Sequence, residues 1–198
     1  MKVVESASST LVFENIKQRR SVGQMTDEQP TRAQIERLLE AATYAPNHHT
    51  TEPWQFFVLT GAARETLGHV MAEALKVRLE DTTSEKARAK LAKERNKPRQ
   101  APVIIAVAVA GEQQQEGLTI ENIEAAAAAV QNMLLAAEEM GLATLWRTGN
   151  AAYDLHVKQW FGLAPDDHIV AFVYLGFPRF PPKTRVPKHF STKTTWLS

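Results

Sequence analysis

The most constraining feature of this sequence is a nearly unbroken apolar run, Val103 to Val109 (VIIAVAV), which lies between Pro102 and Gly111. A strand with one face in water alternates apolar and polar side chains, whereas a strand covered on both faces is apolar throughout. The run therefore predicts a central strand of a sheet that has other layers packed on both of its faces. Amphipathic helices elsewhere in the chain are the natural source of those layers.

Apolar side chains that recur every three or four residues predict the helices, and short apolar runs predict the strands. Thr31 and Gln34 form a capping box at the start of one helix, and Ser9 or Thr10 is the expected N-cap of the first helix. The predicted helices cover about residues 11–20, 31–44, 62–96, 121–140 and 154–161, the predicted strands cover 55–60, 103–109, 143–147 and 170–175, and a polar loop is predicted over 111–117. Helices between strands predict one domain over residues 1–198, with an α+β (layered α/β) fold.

Composition excludes several classes of protein. The 198 residues contain no cysteine, which excludes disulfides, a cysteine nucleophile and metal centres held by cysteine. The formal net charge of +1 gives no general attraction to nucleic acid or to membranes. No apolar window is long enough to span a membrane, and the N-terminal residues do not resemble a secretory signal, so we expect a cytoplasmic protein.

The sequence contains no motif for a protein-based nucleophile. It lacks the GxGxxG dinucleotide fingerprint, the P-loop and the GxSxG nucleophile elbow. Adjacent His48 and His49 form a poor metal site, because neighbouring side chains rarely point at one ion and no HxxxH pattern lies nearby. If the chain is an enzyme, we expect a bound cofactor to supply the difficult chemistry.

The stretch from Tyr44 to Gly61 joins a predicted helix to a predicted strand. Pro46 and Pro53 stiffen both ends of a polar loop, because each proline fixes its own φ and restricts the residue before it. Loops held in this way on a rigid scaffold often bind ligands. The alternative, from the residues alone, is an ordinary polar connection with a packed Trp54.

Two charged features also have two interpretations each. The dipeptide Arg19-Arg20, followed by Ser21, can bind phosphate, or it can simply place positive charge at the C-terminus of a helix. The charged segment from Asp81 to Lys97 is either a solvated surface helix or a mobile excursion that covers a site.

Four segments, taken in order, resemble the nitroreductase family of FMN-dependent oxidoreductases, in particular its small bacterial members with a histidine in the loop. They are Arg19–Ser21 (RRS), Ala45–Trp54 (AP-x6-PW), Gly141–Gly149 (GLATLWRTG) and Tyr174–Pro178 (YLGFP), the last followed by Pro182–Pro187 (PKTRVP). The resemblance implies a mixed central sheet flanked by helices in an intertwined homodimer. It also implies two FMN sites at the subunit interface and a C-terminal extension, residues 178–198, that packs on the partner subunit.

The resemblance also implies an activity. NAD(P)H would reduce FMN, and a nitroaromatic, a quinone or a similar small molecule would then be reduced at the same place. The flavin carries the chemistry, so no catalytic side chain is expected. Two alternatives stay open: a specialised flavin enzyme on the same scaffold (a dehalogenase, a dehydrogenase or a flavin-fragmenting enzyme) and a non-catalytic flavin-binding protein.

The positions that match the family's motifs are the expected cofactor-binding residues. The RRS segment is expected at the phosphate and ribityl end of FMN, the loop histidine on the flavin of the partner subunit, and the basic pair of PKTR at the phosphate. Arg147 or His48 is expected to stabilise negative charge that develops on the flavin. The full expected set is Arg19, Arg20, Ser21, His48, Thr50, Trp146, Arg147, Thr148, Lys183 and Arg185.

The loop departs from the wider family pattern at two positions. Thr50 and Glu52 stand where the family often has asparagine and glutamine. A carboxylate that faced the flavin would disfavour an anionic reduced ring. We therefore expect Glu52 to point away from the flavin or to pair with a basic residue.

Overall fold

The computed structural model describes residues 7–110 and 120–197, with only the backbone of residues 7–10. The strands Trp54–Thr60 (β1), Val103–Val109 (β2), Ala143–Arg147 (β3) and His168–Gly176 (β4) form one sheet in the order β1-β2-β4-β3. All three neighbouring pairs of these strands are antiparallel. The sheet of these four strands is thus antiparallel and not mixed, and parallel pairing is seen outside it, in an isolated bridge between Ser21 and Thr144 of β3.

Six α-helices within the described residues surround this sheet. They are Ala7–Gln18 (α1), Arg32–Thr43 (α2), Gly61–Val77 (α3), Glu85–Asn96 (α4), Ile120–Glu139 (α5) and Leu155–Trp160 (α6). The predicted capping box of α2 is present, since Thr31 Oγ1 accepts from the Gln34 N–H and Gln34 Oε1 accepts from the Thr31 N–H. The structure confirms the predicted α+β fold, whereas the polar loop predicted over residues 111–117 lies outside the described residues.

The central strand predicted from the apolar run is confirmed, because every residue of β2 is buried. Its odd-numbered side chains face a core that includes Leu38 of α2 and Met133 of α5. Its even-numbered side chains face a second core that includes Leu67 of α3 and Val157 of α6. Burial of each large apolar side chain contributes roughly 1.5–3 kcal/mol, so both layers hold this strand in place.

Two helix predictions are wrong in detail. The first helix begins at Ala7, so Ser9 and Thr10 lie inside it instead of capping it. The helix predicted over residues 62–96 is two helices, α3 and α4, separated by residues 78–84.

Local hydrogen bonds explain why the helix breaks between α3 and α4. The Asp81 carboxylate accepts from the N–H groups of Thr83 at 2.8 Å and Ser84 at 3.2 Å, and the Ser84 hydroxyl accepts from the Ala87 N–H at 3.2 Å. Such side-chain bonds compete with a continuous helix and start a new one. The hydrogen bonds from Ser84 and Thr83 also lower the pKa of Asp81 to about 2.

Membrane insertion finds no support in the helices. Across residues 7–110 and 120–197, none of them combines the length and the apolar character that a bilayer crossing needs.

Candidate functional site

A basic cleft lies between the end of α1 and the C-terminal tail. Its volume is about 860 Å³, and Arg19, Arg20, Lys183 and Arg185 all line it. The structure thus brings together four of the predicted site residues from opposite ends of the sequence. Its apolar walls are formed by Phe13, Ile16, Pro182, Val186 and Pro187. Several cations beside apolar walls suit a ligand that joins an anionic group to an apolar body.

Arg20 fastens the tail to the end of α1. Its Nε donates to the Lys183 carbonyl at 3.0 Å, and its Nη1 donates to the carbonyls of Lys17 at 2.6 Å and Arg19 at 2.7 Å. The side chains of Arg19, Lys183 and Arg185 make no hydrogen bond or ion pair within the described residues. Arg20 therefore positions the tail, and the other three cations keep their donors available for a ligand.

Ser21 follows Arg20 in the sequence but pairs with the sheet instead of lining the basic cleft. It pairs with Thr144 in the parallel bridge, and the N–H of the next residue, Val22, donates to the Thr144 carbonyl at 2.9 Å. Ser21 does not line the cleft itself. The RRS segment is thereby anchored to the start of β3, the strand that ends at Arg147.

A smaller cavity, which we call the strand-end pocket, lies where β3 ends. Its volume is about 290 Å³, and Arg147 and Thr148 line it together with Glu94, Lys97 and Tyr174. The guanidinium carbon of Arg147 lies 5.0 Å from the centre of the Tyr174 ring, a cation–π distance. Lys97 Nζ lies 2.5 Å from Glu94 Oε2. The pocket therefore combines two cations, a carboxylate and a phenol in a small polar space.

Tyr174 is almost completely buried at the back of the strand-end pocket. Burial raises the pKa of its hydroxyl to about 12, the nearby Arg147 opposes that rise, and Glu94 adds to it. The phenol therefore stays protonated at neutral pH and can act as a hydrogen-bond donor.

Trp146 and Arg147 do not share a face of the sheet. The Trp146 indole N–H donates to the Val170 carbonyl at 3.1 Å, and its ring packs on the core beneath α5. Arg147 lies over Tyr174, which belongs to the core on the opposite face. Neighbouring strand residues point to opposite faces, so these two predicted residues can contact one ligand only at an edge of the sheet.

The polar loop before β1 has an unusual backbone. His49, Thr50 and Glu52 have φ values of 52°, 56° and 46°, which non-glycine residues seldom adopt. The Asn47 side chain supports this shape by accepting from the Glu52 N–H at 2.9 Å. His48 and Thr50 are exposed, and they line neither the basic cleft nor the strand-end pocket of their own chain.

Glu52 is exposed and forms no ion pair within the described residues. Its expected pairing with a basic residue is therefore not seen in the isolated chain. Its orientation relative to a flavin stays a prediction.

Sequence reasoning missed the ion pair Glu94–Lys97 and the phenol of Tyr174 in the strand-end pocket. Glu94 and Lys97 belong to a segment whose many charges carry no pattern that distinguishes pocket from surface. The available signal for Tyr174 was a phenol that follows a run of apolar residues in a strand, since a buried tyrosine hydroxyl usually finds a hydrogen-bond partner.

Metal binding has no support in the geometry. Within the described parts of the chain, no group of three or more histidine, aspartate or glutamate side chains is arranged to hold a metal ion.

Comparison with known proteins gives consistent matches over most of the chain. Residues 16–177 match the sequence profile of the nitroreductase family. YdjA from Escherichia coli (strain K12), provisionally named an NAD(P)H nitroreductase, is 33% identical over 169 residues, which are 85% of this chain and 88% of YdjA. These are matches in sequence alone.

Solved structures agree with the fold. The nitroreductase-like family protein from Bacillus cereus superposes with a TM-score of 0.80 at 27% identity, over 100% of this chain and 98% of that chain. A provisionally named nitroreductase from Desulfovibrio desulfuricans, solved in complex with FMN, superposes with a TM-score of 0.71 at 24% identity, over 94% of this chain and 96% of that chain. Since the profile and YdjA each cover most of the sequence, the chain belongs to the nitroreductase family.

Proposed function

We propose that this protein is an FMN-dependent oxidoreductase that passes reducing equivalents from NAD(P)H to nitroaromatic, quinone or similar small-molecule acceptors. The observation that carries the proposal is the basic cleft, where the four predicted arginine and lysine residues lie beside apolar walls. YdjA is provisionally named for NAD(P)H, and the Desulfovibrio desulfuricans relative binds FMN, which supports the same assignment. When bound, FMN supplies a two-electron carrier between the two substrates.

The residues of the basic cleft fit the phosphate end of FMN. Arg19, Lys183 and Arg185 have donors that no group of the described chain uses, and each charge-assisted hydrogen bond contributes roughly 1.5–3 kcal/mol. Arg20 holds Lys183 in place through its carbonyl contact. Ser21 ties this end of the site to β3.

The residues at the end of β3 fit a polar edge of the ring system. Arg147 carries a permanent charge, Thr148 offers a hydroxyl, and Tyr174 offers a neutral donor. Lys97 and Glu94 form an ion pair at this pocket. We therefore propose that the end of α4 forms one wall of the site. Trp146 fixes the strand beside them through its bond to the Val170 carbonyl.

We propose that the active form is a homodimer. Leu11, Val12 and Phe13 on α1 are between 59% and 71% exposed, although a helix with several apolar side chains normally buries them. Apolar surface of this extent on a single chain marks an interaction surface. A second copy of the chain is the occupant that the family membership favours.

The C-terminal tail supports the same assembly. Every residue from Arg179 to Leu197 is exposed, and Val186, Trp196 and Leu197 are 85% to 94% exposed. A tail with this apolar content gains by packing on a partner subunit. His48 and Thr50 line neither the basic cleft nor the strand-end pocket of their own chain, so we assign them to the flavin bound mainly by the partner.

We place the enzyme in the cytoplasm, as one domain over residues 1–198. The absence of cysteine fits a reducing compartment, and the proposed reductant NAD(P)H is a cytoplasmic metabolite pool.

A flavin spectrum and an anaerobic titration test the function. The purified protein should show the visible absorption bands of bound FMN, and NADH or NADPH should bleach them without oxygen. Added nitroaromatic or quinone should then restore the bands. A colourless protein that neither binds added FMN nor oxidises NAD(P)H contradicts the proposal. Bound flavin that NAD(P)H leaves oxidised would instead favour a non-catalytic flavin-binding protein.

A further inference from the structure

A third cavity carries features that the proposed flavin site does not use. Its volume is about 750 Å³, and the guanidiniums of Arg64, Arg99 and Arg179 all line it. We call it the arginine pocket. None of its lining residues lines the basic cleft or the strand-end pocket, so the three cavities are distinct.

The arginine pocket is built on rigid backbone. The bridge between Met25 and Pro178 pairs the segment after RRS with the segment after β4. The Thr26 N–H donates to the Phe177 carbonyl at 2.9 Å, and the Arg179 N–H donates to the Gln24 carbonyl at 3.0 Å. These bonds fix two of the pocket's walls relative to each other.

Most of the donors in the pocket are unused. Each guanidinium carries five N–H groups, and within the described residues each makes one hydrogen bond: Arg64 to the Ala101 carbonyl, Arg99 to Glu65, and Arg179 to the Met25 carbonyl. The bond from Arg179 is long, with Nε 3.4 Å from the oxygen. The pocket therefore has a surplus of strong donors.

Two polar atoms behind the lining of the arginine pocket have no hydrogen-bond partner. Arg64 Nε and Thr26 Oγ1 are both buried, and neither has a hydrogen-bond partner within the described residues. A buried donor without a partner costs free energy, so such atoms are rare in native proteins unless something else satisfies them. Both atoms belong to residues that line the arginine pocket.

The net charge of the residues that line the arginine pocket favours an anionic ligand. Arg64, Arg99 and Arg179 face two carboxylates, Asp27 and Glu65, so the pocket keeps an excess positive charge. Glu65 is already held by Arg99 at 3.0 Å. The two other guanidiniums are therefore available to a bidentate oxyanion, which is the partner that arginine geometry fits best.

The geometry points to a second ligand site in the arginine pocket, which binds a small molecule through a phosphate or carboxylate group. Arg64 and Arg179 hold the oxyanion, and Asp27 limits how tightly an anion binds. The site is separate from the flavin, so it does not depend on the proposed redox function.

Calorimetric titration with inorganic phosphate, and in a parallel arm with acetate, tests this site at constant ionic strength. The full-length protein is first saturated with FMN, so that the basic cleft is occupied. We expect saturable binding of one or both anions, weakened about fivefold or more by Arg64→Gln and by Arg179→Gln. Asp27→Asn should strengthen binding about twofold or more, because it removes a like charge.

Arg32→Gln is the matched control, since Arg32 is a highly exposed arginine outside the pocket that pairs with Glu36. It changes the net charge by the same amount and should leave anion binding unaltered. Circular dichroism shows whether Arg64→Gln folds, and Arg179→Gln with Asp27→Asn tests the site independently of that result. Absence of saturable binding for both anions overturns the proposal, and so does equal binding by Arg179→Gln and Arg32→Gln.

Discussion

Gly68 of α3 lies so close to α4 that a Cβ atom at this position would stand 2.1 Å from the carbonyl oxygen of Arg95. Only glycine allows this contact, which brings the last turn of α4, and with it Glu94 and Lys97, to the strand-end pocket. The absence of a side chain at Gly68 thus helps to set the shape of the strand-end pocket.

Gly68→Ala should destabilise the protein by roughly 1–3 kcal/mol, because the added methyl group meets backbone that cannot move independently. The free energy of unfolding in urea measures the change. Gly23→Ala is the control, since its Cβ would lie an ordinary 3.6 Å from Leu145. Equal stability of the two variants would show that α4 is free to shift away from α3.

Substitution by lysine should affect FMN binding differently at Arg19 and at Arg20. Arg19→Lys keeps a charge in the basic cleft and should retain most of the FMN affinity. Arg20→Lys loses the planar guanidinium that reaches three carbonyls, so it should release the tail and raise the FMN dissociation constant roughly 10–150-fold. Fluorescence titration of the apoprotein with FMN measures both, with Arg32→Lys as control. Similar affinities for both variants would mean that Arg20 does not position Lys183.

Tyr174 should make the fold sensitive to high pH. Burial raises the pKa of its hydroxyl from 10.0 to about 12, so the folded state holds the proton more tightly than the unfolded state. Its contribution is complete below pH 10 and is lost as the pH rises from 10 to about 12. The loss amounts to about 2–3 kcal/mol at most. Unfolding in urea across this range should show a shallower decline for Tyr174→Phe, and parallel curves would argue against a buried, protonated phenol.

Arg147→Gln should slow the reduction of bound FMN by NAD(P)H. A fixed cation near developing negative charge lowers the barrier, and its removal costs on the order of 100-fold in rate. Anaerobic stopped-flow absorption measures that rate. Arg147→Lys keeps the charge and should retain more of the rate than the glutamine variant. An unchanged rate in Arg147→Gln would shift the electrostatic role to His48.

Trp196→Asp should weaken the proposed homodimer. A tryptophan that is 85% exposed on one chain becomes an anchor when a partner covers it, and loss of such an anchor raises the dimer dissociation constant roughly 30-fold. Sedimentation velocity measures the change. Val77→Asp is the control, because Val77 is 72% exposed and belongs to α3, not to α1 or the tail. A wild-type chain that sediments as a monomer would contradict the assembly itself.

The elements of the fold were predictable where one local pattern decides them. The unbroken apolar run predicted both ends of β2, and the capping box of Thr31 and Gln34 predicted the start of α2. The break between α3 and α4 was missed, because neither glycine nor proline marks it. It depends on hydrogen bonds from the side chains of Asp81 and Ser84, residues that also occur on exposed helix surfaces.

The candidate site was predictable only in part. The resemblance selected Arg19, Arg20, Lys183 and Arg185, and the structure gathers these four in one cleft, while their role in binding FMN stays a prediction. Arg147 and Thr148 of the strand-end pocket were predicted, but the residues that α4 and β4 add to it were not, since tertiary packing alone brings them there. The arginine pocket was hidden for the same reason, as its three guanidiniums come from three separate segments.

The strand order β1-β2-β4-β3 also affects how the chain folds during its synthesis. β4 joins β2 to β3, yet it is the last of the four strands to be synthesised. At usual translation rates, β2 waits on the order of several seconds with one edge unpaired. During that interval the apolar run VIIAVAV is a target for aggregation, so chaperone protection on the ribosome should matter more for this protein than for one whose central strand pairs early.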